Sequence, residues 1–495
     1  MTRRRVCWIV AASLLVLPGA LEGLYRAGWA LARSAGGTDA FELYIVGEST
    51  AAGEPYSPRI SPAQLVSARF GGRLLGRRVR VVTVALPGES IYPQSVRFDW
   101  ALRRRDAKVP GAVLIYSGHN DAGTRRGIPR VERWRHWLAE RSFLAEDGLY
   151  LLERRGLLPK ARTADTYAYF LRRTAAAARR SGLTPVLSTV MGNLSGVEPG
   201  LSSPSSGASV ETVALLDEGT ALESKGRHAQ ALRLYETAAV SHPWMRAYLA
   251  YRMGRCRLAL GEYAKAKGLF QEAVDRSEQD NFGRASSLQN DLVRGLASEE
   301  SIPLVDAESV FEEHSPHGIS GDSLFADGQH PNIEGYLLLA DAYAGRLSEV
   351  LHDPLRRPPM RPKEVFEAFA FGREEQARAL VASGVWLLTV ASGHAYPADR
   401  LRLARERFEG ALALAPGSFP AQYGLGLVDA AQRSDLLKEP AGRAWLGAHR
   451  VYYGGLDDVD AKEIGEVAEK LRACGVPEDR LAAMLAAFRR FSKLL

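Results

Sequence analysis

Four short segments of this 495-residue chain carry residue types that could act on an acyl group. The first is Tyr44-Ile-Val-Gly-Glu-Ser-Thr-Ala-Ala-Gly53, in which Ser49 lies among small residues directly after an apolar run. A serine there sits on the sharp strand-to-helix turn that presents groups at a sheet's edge. It is a weak nucleophile at neutral pH and needs an adjacent base. The segment Leu324-Phe-Ala-Asp-Gly-Gln-His-Pro331 offers one in His330, with Asp327 three residues before it. The remaining two are Ala85-Leu-Pro-Gly-Glu89 and Leu114-Ile-Tyr-Ser-Gly-His-Asn-Asp121, which contain Gly88, His119 and Asn120. This is not the G-x-S-x-G elbow of α/β-hydrolases, because Ala51 stands second after Ser49. Singly, each segment has a plainer reading as a helix cap, a turn or a loop. Jointly, at matching strand ends, they point to nucleophilic acyl transfer.

The elements that must position them are legible as β-rich apolar runs: Phe41–Val46, Val79–Val84, Ala112–Tyr116, Pro185–Val190 and Ile302–Val305. Runs of this kind separated by helix-length segments predict an α/β fold, a parallel sheet covered on both faces. About 110 residues separate the fourth run from the fifth, too many for one crossover helix, so something is inserted there. In that stretch Gly226, Ala231, Tyr235 and Ala238 recur 35 residues later as Gly261, Ala266, Phe270 and Ala273. The pattern fits a helix–turn–helix unit and resembles the tetratricopeptide repeat. His352 to Pro362 is a proline-rich boundary, and the chain beyond reads as helical, with Leu403–Pro416 similar to the second helix of another repeat. The expected organisation is a signal peptide or anchor (1–40), a core in two parts (41–198 and 299–351), a helical insertion (199–298), a Pro/Arg linker (352–363) and an α-helical C-terminal domain (364–495).

With these four segments in this order, the chain resembles the SGNH hydrolases, also called the GDSL esterase/lipase family. The resemblance covers Phe41 to Asn193 and then about Ile302 to Leu351. It implies a three-layer, flavodoxin-like parallel-sheet core and a catalytic triad of Ser49, His330 and Asp327. It further implies an oxyanion hole made by the backbone N–H groups of Ser49 and Gly88 with the side-chain amide of Asn120. Tyr56 and His119 are candidate substrate contacts or packing residues. Two departures stand out: Glu48 occupies the position before the serine where the family usually has Asp, and Ala85 and Leu86 replace the usual Asn and Gly of the second block.

The implied activity is hydrolysis of an O-acyl ester through an acyl-enzyme on Ser49. The alternatives are an O-acyltransferase acting on an envelope glycan or secreted molecule, and an inactive scaffold whose repeats bind a protein. No cofactor is expected. The other histidines (His119, His136, His228, His242, His314, His317) lack ligand spacing, so no metal is expected either. The composition, 46% hydrophobic and 24% charged, excludes wholesale disorder. Three widely spaced cysteines exclude a disulfide-rich scaffold. A net charge of +7 without long basic runs gives no reason to expect nucleic acid. Arg69 to Arg180 holds 24 Lys and Arg against 10 Asp and Glu, so the charge belongs to the hydrolase part. Arg3, Arg4 and Arg5 before the apolar run Val6–Leu21 read as an export signal or an uncleaved membrane anchor, with Ala30 and Ala32 as a late cleavage motif. The expected location is periplasmic or extracellular, at the membrane, with an O-acylated glycan or lipid as the ester substrate.

Overall fold

In the computed structural model the described residues are 19–31, 39–121, 126–159, 163–200, 210–277, 284–449 and 461–492. The N-terminal apolar run up to residue 18, Ala32 of the cleavage motif and residues 201–209 at the start of the expected insertion lie outside them.

Six strands form one sheet: β1 (Ala40–Gly47), β2 (Arg73–Leu74), β3 (Arg77–Ala85), β4 (Gly111–Tyr116), β5 (Leu183–Ser188) and β6 (Leu304–Val305). Their order is β2-β3-β1-β4-β5-β6, parallel throughout except for the β2–β3 hairpin at one edge. Without β2 this is the doubly wound flavodoxin-like order. Residues of β1 and β4 are buried on both faces, so these strands read in the sequence as apolar runs, broken only by Glu42, which pairs with the buried Arg105. Alternate side chains serve two cores. Leu43, Ile45, Leu114 and Tyr116 pack with Tyr336, Tyr343 and Leu347, while Tyr44, Val46, Val113 and Ile115 pack with Phe98 and Phe170.

The register places Gly47, Ala85 and Tyr116 in one row at the carboxyl end of the sheet. Three of the four chemical segments leave the sheet from that row. Gly47 permits the convergence: a Cβ there would lie 2.0 Å from the carbonyl oxygen of Tyr116.

The insertion is narrower than the sequence implied. Helix Ser287–Glu299 belongs to the sheet's own core, since Val293, Leu296 and Ala297 pack with Val113, Phe170 and Leu187. A capping box between Ser286 and Gln289 starts it. Asn290 then fixes it to the end of β5, donating to the Val190 carbonyl and accepting from the Val190 N–H, both at 2.8 Å. The helical insertion therefore ends before Arg284 and not at residue 298.

The 35-residue repeat is built as two helical hairpins, Val210–Ser224 with His228–Ser241 and Arg246–Ala259 with Tyr263–Asp275. Each seats an aromatic ring against a glycine of the preceding helix. A Cβ at Gly219 would lie 2.3 Å from the Tyr235 ring, and one at Gly254 would lie 2.9 Å from Phe270. The same device returns beyond the linker, where Gly384 of helix Arg373–Ala391 faces Phe408 of helix Ala398–Leu414. Asp399 joins the two helical regions, 3.0 Å from the Tyr251 hydroxyl and paired with Arg252 and Arg255. The Pro/Arg linker is strapped to the core through hydrogen bonds from the Arg356 and Arg357 amides to the Arg69 carbonyl, both at 3.0 Å.

Candidate active site

Ser49 is the first residue of a single helical turn, Ser49–Ala52, which Gly53 ends in the left-handed region (φ 101°). A Cβ at Gly53 would lie 2.0 Å from the Ile60 carbonyl, so the turn needs glycine on both counts. Helix Ile333–Leu351 lies at the other side of the site, its N-cap Asn332 accepting from the Gly335 N–H at 3.0 Å. This fixes the loop before it, and with it His330. The Tyr336 hydroxyl of that helix lies 3.1 Å from the Thr50 carbonyl and 2.6 Å from that of Glu54, tying the serine turn to the histidine loop.

Three residues spread over 281 positions of sequence meet there. Ser49 Oγ lies 2.7 Å from His330 Nε2, and His330 Nδ1 lies 2.7 Å from Asp327 Oδ2. The other Asp327 oxygen accepts the backbone N–H groups of Gln329 (3.0 Å) and His330 (2.9 Å). With Nδ1–H donated to Asp327, Nε2 is left as an acceptor for the serine proton. Burial works against charge on both partners, yet their mutual attraction and the two amides outweigh it. Asp327 is held below its ordinary value and His330 is raised above its own. Gln329 Nε2 lies 3.3 Å from His330 Nε2, a contact the sequence reading did not anticipate.

Glu48 explains the departure before the serine. It is fully buried and accepts from the Ser117 hydroxyl (3.1 Å) and the backbone N–H groups of Gly118 (3.0 Å), His119 (3.0 Å) and Asn120 (3.1 Å). One carboxylate thus shapes the entire 117–120 loop, and the longer side chain is what reaches it. Burial and then the neighbouring Asp121 carboxylate push Glu48 upward, against the pull of those donors. Asn120 Nδ2 in turn donates to the Glu89 carbonyl (3.2 Å), which links the loop to the Gly88 segment and leaves its second N–H. Gly88 itself adopts a positive φ of 77° with open space around it.

The two tentative substrate residues are placed in packing. Tyr56 is buried in an aromatic cluster, its ring 6.0 Å from Tyr336 and 5.8 Å from Phe371. His119 is buried with both nitrogens engaged. Nε2 lies 3.2 Å from the Tyr116 hydroxyl and Nδ1 accepts from the Ala285 N–H at 3.3 Å. Burial, and then the charge of His330, push its pKa down to about 3, so it stays neutral.

Two residues of the C-terminal region reach the site and had no local signal in the sequence. The Trp386 ring lies 6.3 Å from that of His330. Arg407 donates from Nε to the Ala326 carbonyl (2.8 Å) and from a terminal nitrogen to the Phe325 carbonyl (2.9 Å). Ser49, Asp327 and His330 are only 5%, 1% and 4% exposed, so approach to the serine is narrow. A cleft of about 670 Å³ lies elsewhere, between Arg103, Phe143, Tyr169 and Arg180. It sits by the C-terminal ends of helices Ile91–Arg103 and Ala164–Arg180, at the sheet edge opposite the serine. No group of three or more metal-ligating side chains occurs among the described residues.

A doubly wound sheet, its nucleophile turn after β1 and its histidine loop before the closing helix decide the architecture. The core has a doubly wound, flavodoxin-like α/β fold. No family model matches the chain, and no curated protein matches it. Among solved structures the chain is similar to a GDSL-like lipase from Bacteroides thetaiotaomicron VPI-5482, at 13% identity over 66% of this chain and 96% of that one, TM-score 0.30. It is also similar to the lipase/acylhydrolase from Enterococcus faecalis (14%, 65% and 99%, TM-score 0.30). A third is a catalytic mutant of an acetylxylan esterase from Geobacillus stearothermophilus (14%, 62% and 94%, TM-score 0.30).

Proposed function

We propose that the chain is a serine esterase that hydrolyses an O-acyl ester through an acyl-enzyme on Ser49. The observation that carries this is the unbroken chain Ser49 Oγ, His330 Nε2, His330 Nδ1, Asp327 Oδ2, with 2.7 Å at each hydrogen bond. Ser49 Oγ attacks the acyl carbon while its proton passes to Nε2, and Asp327 stabilises the imidazolium. The developing oxyanion is received by the backbone N–H groups of Ser49 and Gly88 and by the Asn120 amide. Collapse expels the alcohol, which takes the proton from His330. Water then repeats the cycle from the acyl side and releases the acid.

The substrate class in this reading is an acylated glycan or lipid of the cell envelope, reached by an exported chain held at the membrane by its N-terminal segment. Its support is the basic and apolar order of residues 3–21 in the sequence. Among the described residues no helix is long and apolar enough to cross a membrane.

The test is labelling by a fluorophosphonate and turnover of a short-chain aryl ester, beside Ser49→Ala. Labelling and turnover confined to the wild type are expected. Their absence, or their persistence in Ser49→Ala, overturns the esterase.

A further inference from the structure

Three helices of this chain are built inside out. In Arg130–Ala139 the buried face carries Glu132, Arg135 and His136, while Val131, Trp134 and Trp137 face outward. In Phe143–Arg154 the buried face carries Glu146, Asp147 and Tyr150, while Leu144, Leu151 and Leu152 face outward. Helix 19–31 repeats this, with Glu22 and Tyr25 turned inward and Leu21, Leu24 and Leu31 exposed. Trp134 is 58% exposed, Trp137 51% and Leu24 72%.

The buried carboxylates Glu132, Glu146 and Asp147 are each paired with an arginine, so the inversion is built into the packing. Arg103 pairs with Glu146 at 2.5 Å and with Asp147 at 2.8 Å, and Arg135 pairs with Glu132 at 2.5 Å. Helix 19–31 docks by the same polar means. Glu22 accepts the Phe143 and Leu144 amides (2.9 and 3.1 Å) at the start of helix Phe143–Arg154, and the Tyr25 hydroxyl donates to Asp147 at 2.6 Å. The guanidinium of Arg26 lies 4.1 Å over the Phe143 ring. Helix Arg130–Ala139 packs in turn on Phe143–Arg154, so the three helices are neighbours. Ten of the fourteen large apolar side chains exposed among the described residues lie on them or on the adjoining Leu157.

Burying charge and exposing Trp and Leu is unfavourable when the outer solvent is water, and is relieved when it is hydrocarbon. Two tryptophans at the outer face are the residues that settle at headgroup level. Arg130, Arg133, Arg154 and Arg155 are exposed around the patch and form no ion pair among the described residues. Free cations rimming an apolar face complement an anionic bilayer surface. The chain leading into helix 19–31 is itself the apolar run Val6–Leu21, which places that end at a membrane on sequence grounds.

We infer that this three-helix face is a membrane-interface platform that lies in the headgroup region of an anionic bilayer. The platform extends well beyond the N-terminal apolar run, with which it shares only residues 19–21, and the inference does not depend on the esterase reading. It places the hydrolase core flat against the lipid and not merely tethered near it.

The test uses the full chain reconstituted into vesicles of phosphatidylglycerol and phosphatidylcholine whose acyl chains carry bromine, a tryptophan quencher. The wild type is compared with Trp134→Phe/Trp137→Phe, a change that keeps the rings and the fold. The fraction of fluorescence quenched is expected to fall in the double variant, since both chains share Trp8 and the other tryptophans. An equal quenched fraction in the two chains overturns the platform, because the patch is then in water. Arg130→Glu/Arg133→Glu is expected to lower quenching on anionic vesicles and to leave it unchanged on pure phosphatidylcholine. Equal quenching of wild type on both lipids overturns the anionic preference. Concentration-dependent dimerisation in vesicles that protects both tryptophans from bromolipid assigns the face to a second copy and likewise overturns the proposal.

Discussion

Arg407 and Ala326 are joined by a 2.8 Å hydrogen bond from the Arg407 guanidinium to the backbone carbonyl one residue before Asp327. The C-terminal helical region therefore holds the acid end of the triad in place. Arg407→Ala removes this bond and its companion to Phe325. Charge-assisted bonds of this kind are worth about 1.5–3 kcal/mol each when the acceptor is left without a partner. The expected result is a kcat for the aryl ester lowered by about tenfold or more, partly restored in Arg407→Lys. Steady-state kinetics beside a thermal unfolding curve separate lost positioning from lost stability.

The paired titration of Asp327 and His330 sets a pH profile. His330 must be neutral to accept the serine proton, and Asp327 raises it above its ordinary 6.5. Activity is therefore expected to fall on the acid side along a limb centred above 6.5, and Asp327→Asn moves that limb lower while cutting turnover. His119, held near 3, contributes no limb in this range. Stability follows opposite signs for the two partners. The share from His330 is full below 6.5 and is lost as pH rises through its folded value, while that from Asp327 is full above 3.8 and is lost as pH falls. The gap in Tm between wild type and Asp327→Asn is thus expected to be widest between these two values and to narrow toward alkaline pH.

Glu48→Ala leaves three backbone N–H groups and one hydroxyl without their acceptor in a dry interior. A loss of about 3 kcal/mol or more in unfolding free energy is expected, with labelling of Ser49 much slowed because the Asn120 loop is no longer held. Glu48→Asp, one methylene shorter, is expected to fall between Ala and wild type. Urea unfolding and fluorophosphonate labelling rates check both effects.

The Trp386 indole beside His330 narrows the approach to a serine that is 5% exposed. Trp386→Ala is expected to raise the labelling rate of a bulky fluorophosphonate relative to a small one, by about tenfold for a pocket change worth 1–2 kcal/mol. An unchanged ratio assigns the ring to packing alone.

Asn290→Ala strips both hydrogen bonds from Val190 at the end of β5. A destabilisation of about 2–4 kcal/mol is expected, seen as a shifted urea midpoint for the core. The same change would be nearly silent in the core if helix Ser287–Glu299 belonged to the insertion.

Legibility in the sequence followed locality. β1 and β4 are central strands buried on both faces, so their composition alone marked them to within one or two residues. β2 is a two-residue edge beginning with an arginine and had no such mark. Ser49, Asp327 and His330 were legible because each lies in a short segment whose own spacing is informative. Trp386 and Arg407 were not, because they arrive through packing of helices that otherwise show only helical periodicity. Helix Ser287–Glu299 was assigned to the wrong unit for a related reason. Its apolar residues look like those of the inserted hairpins, and only the partners of Asn290 reveal which sheet it serves.

The insertion between β5 and the returning core also sets an order of events during synthesis. The nucleophile emerges 281 residues before the base it needs, and the loop between them includes four helices with packing of their own. Closing so long a loop is entropically slow unless its interior has already condensed. A nascent chain that ends short of His330 therefore carries a serine with no proton acceptor. The inserted hairpins lengthen the interval in which Ser49 has left the ribosome and His330 has not.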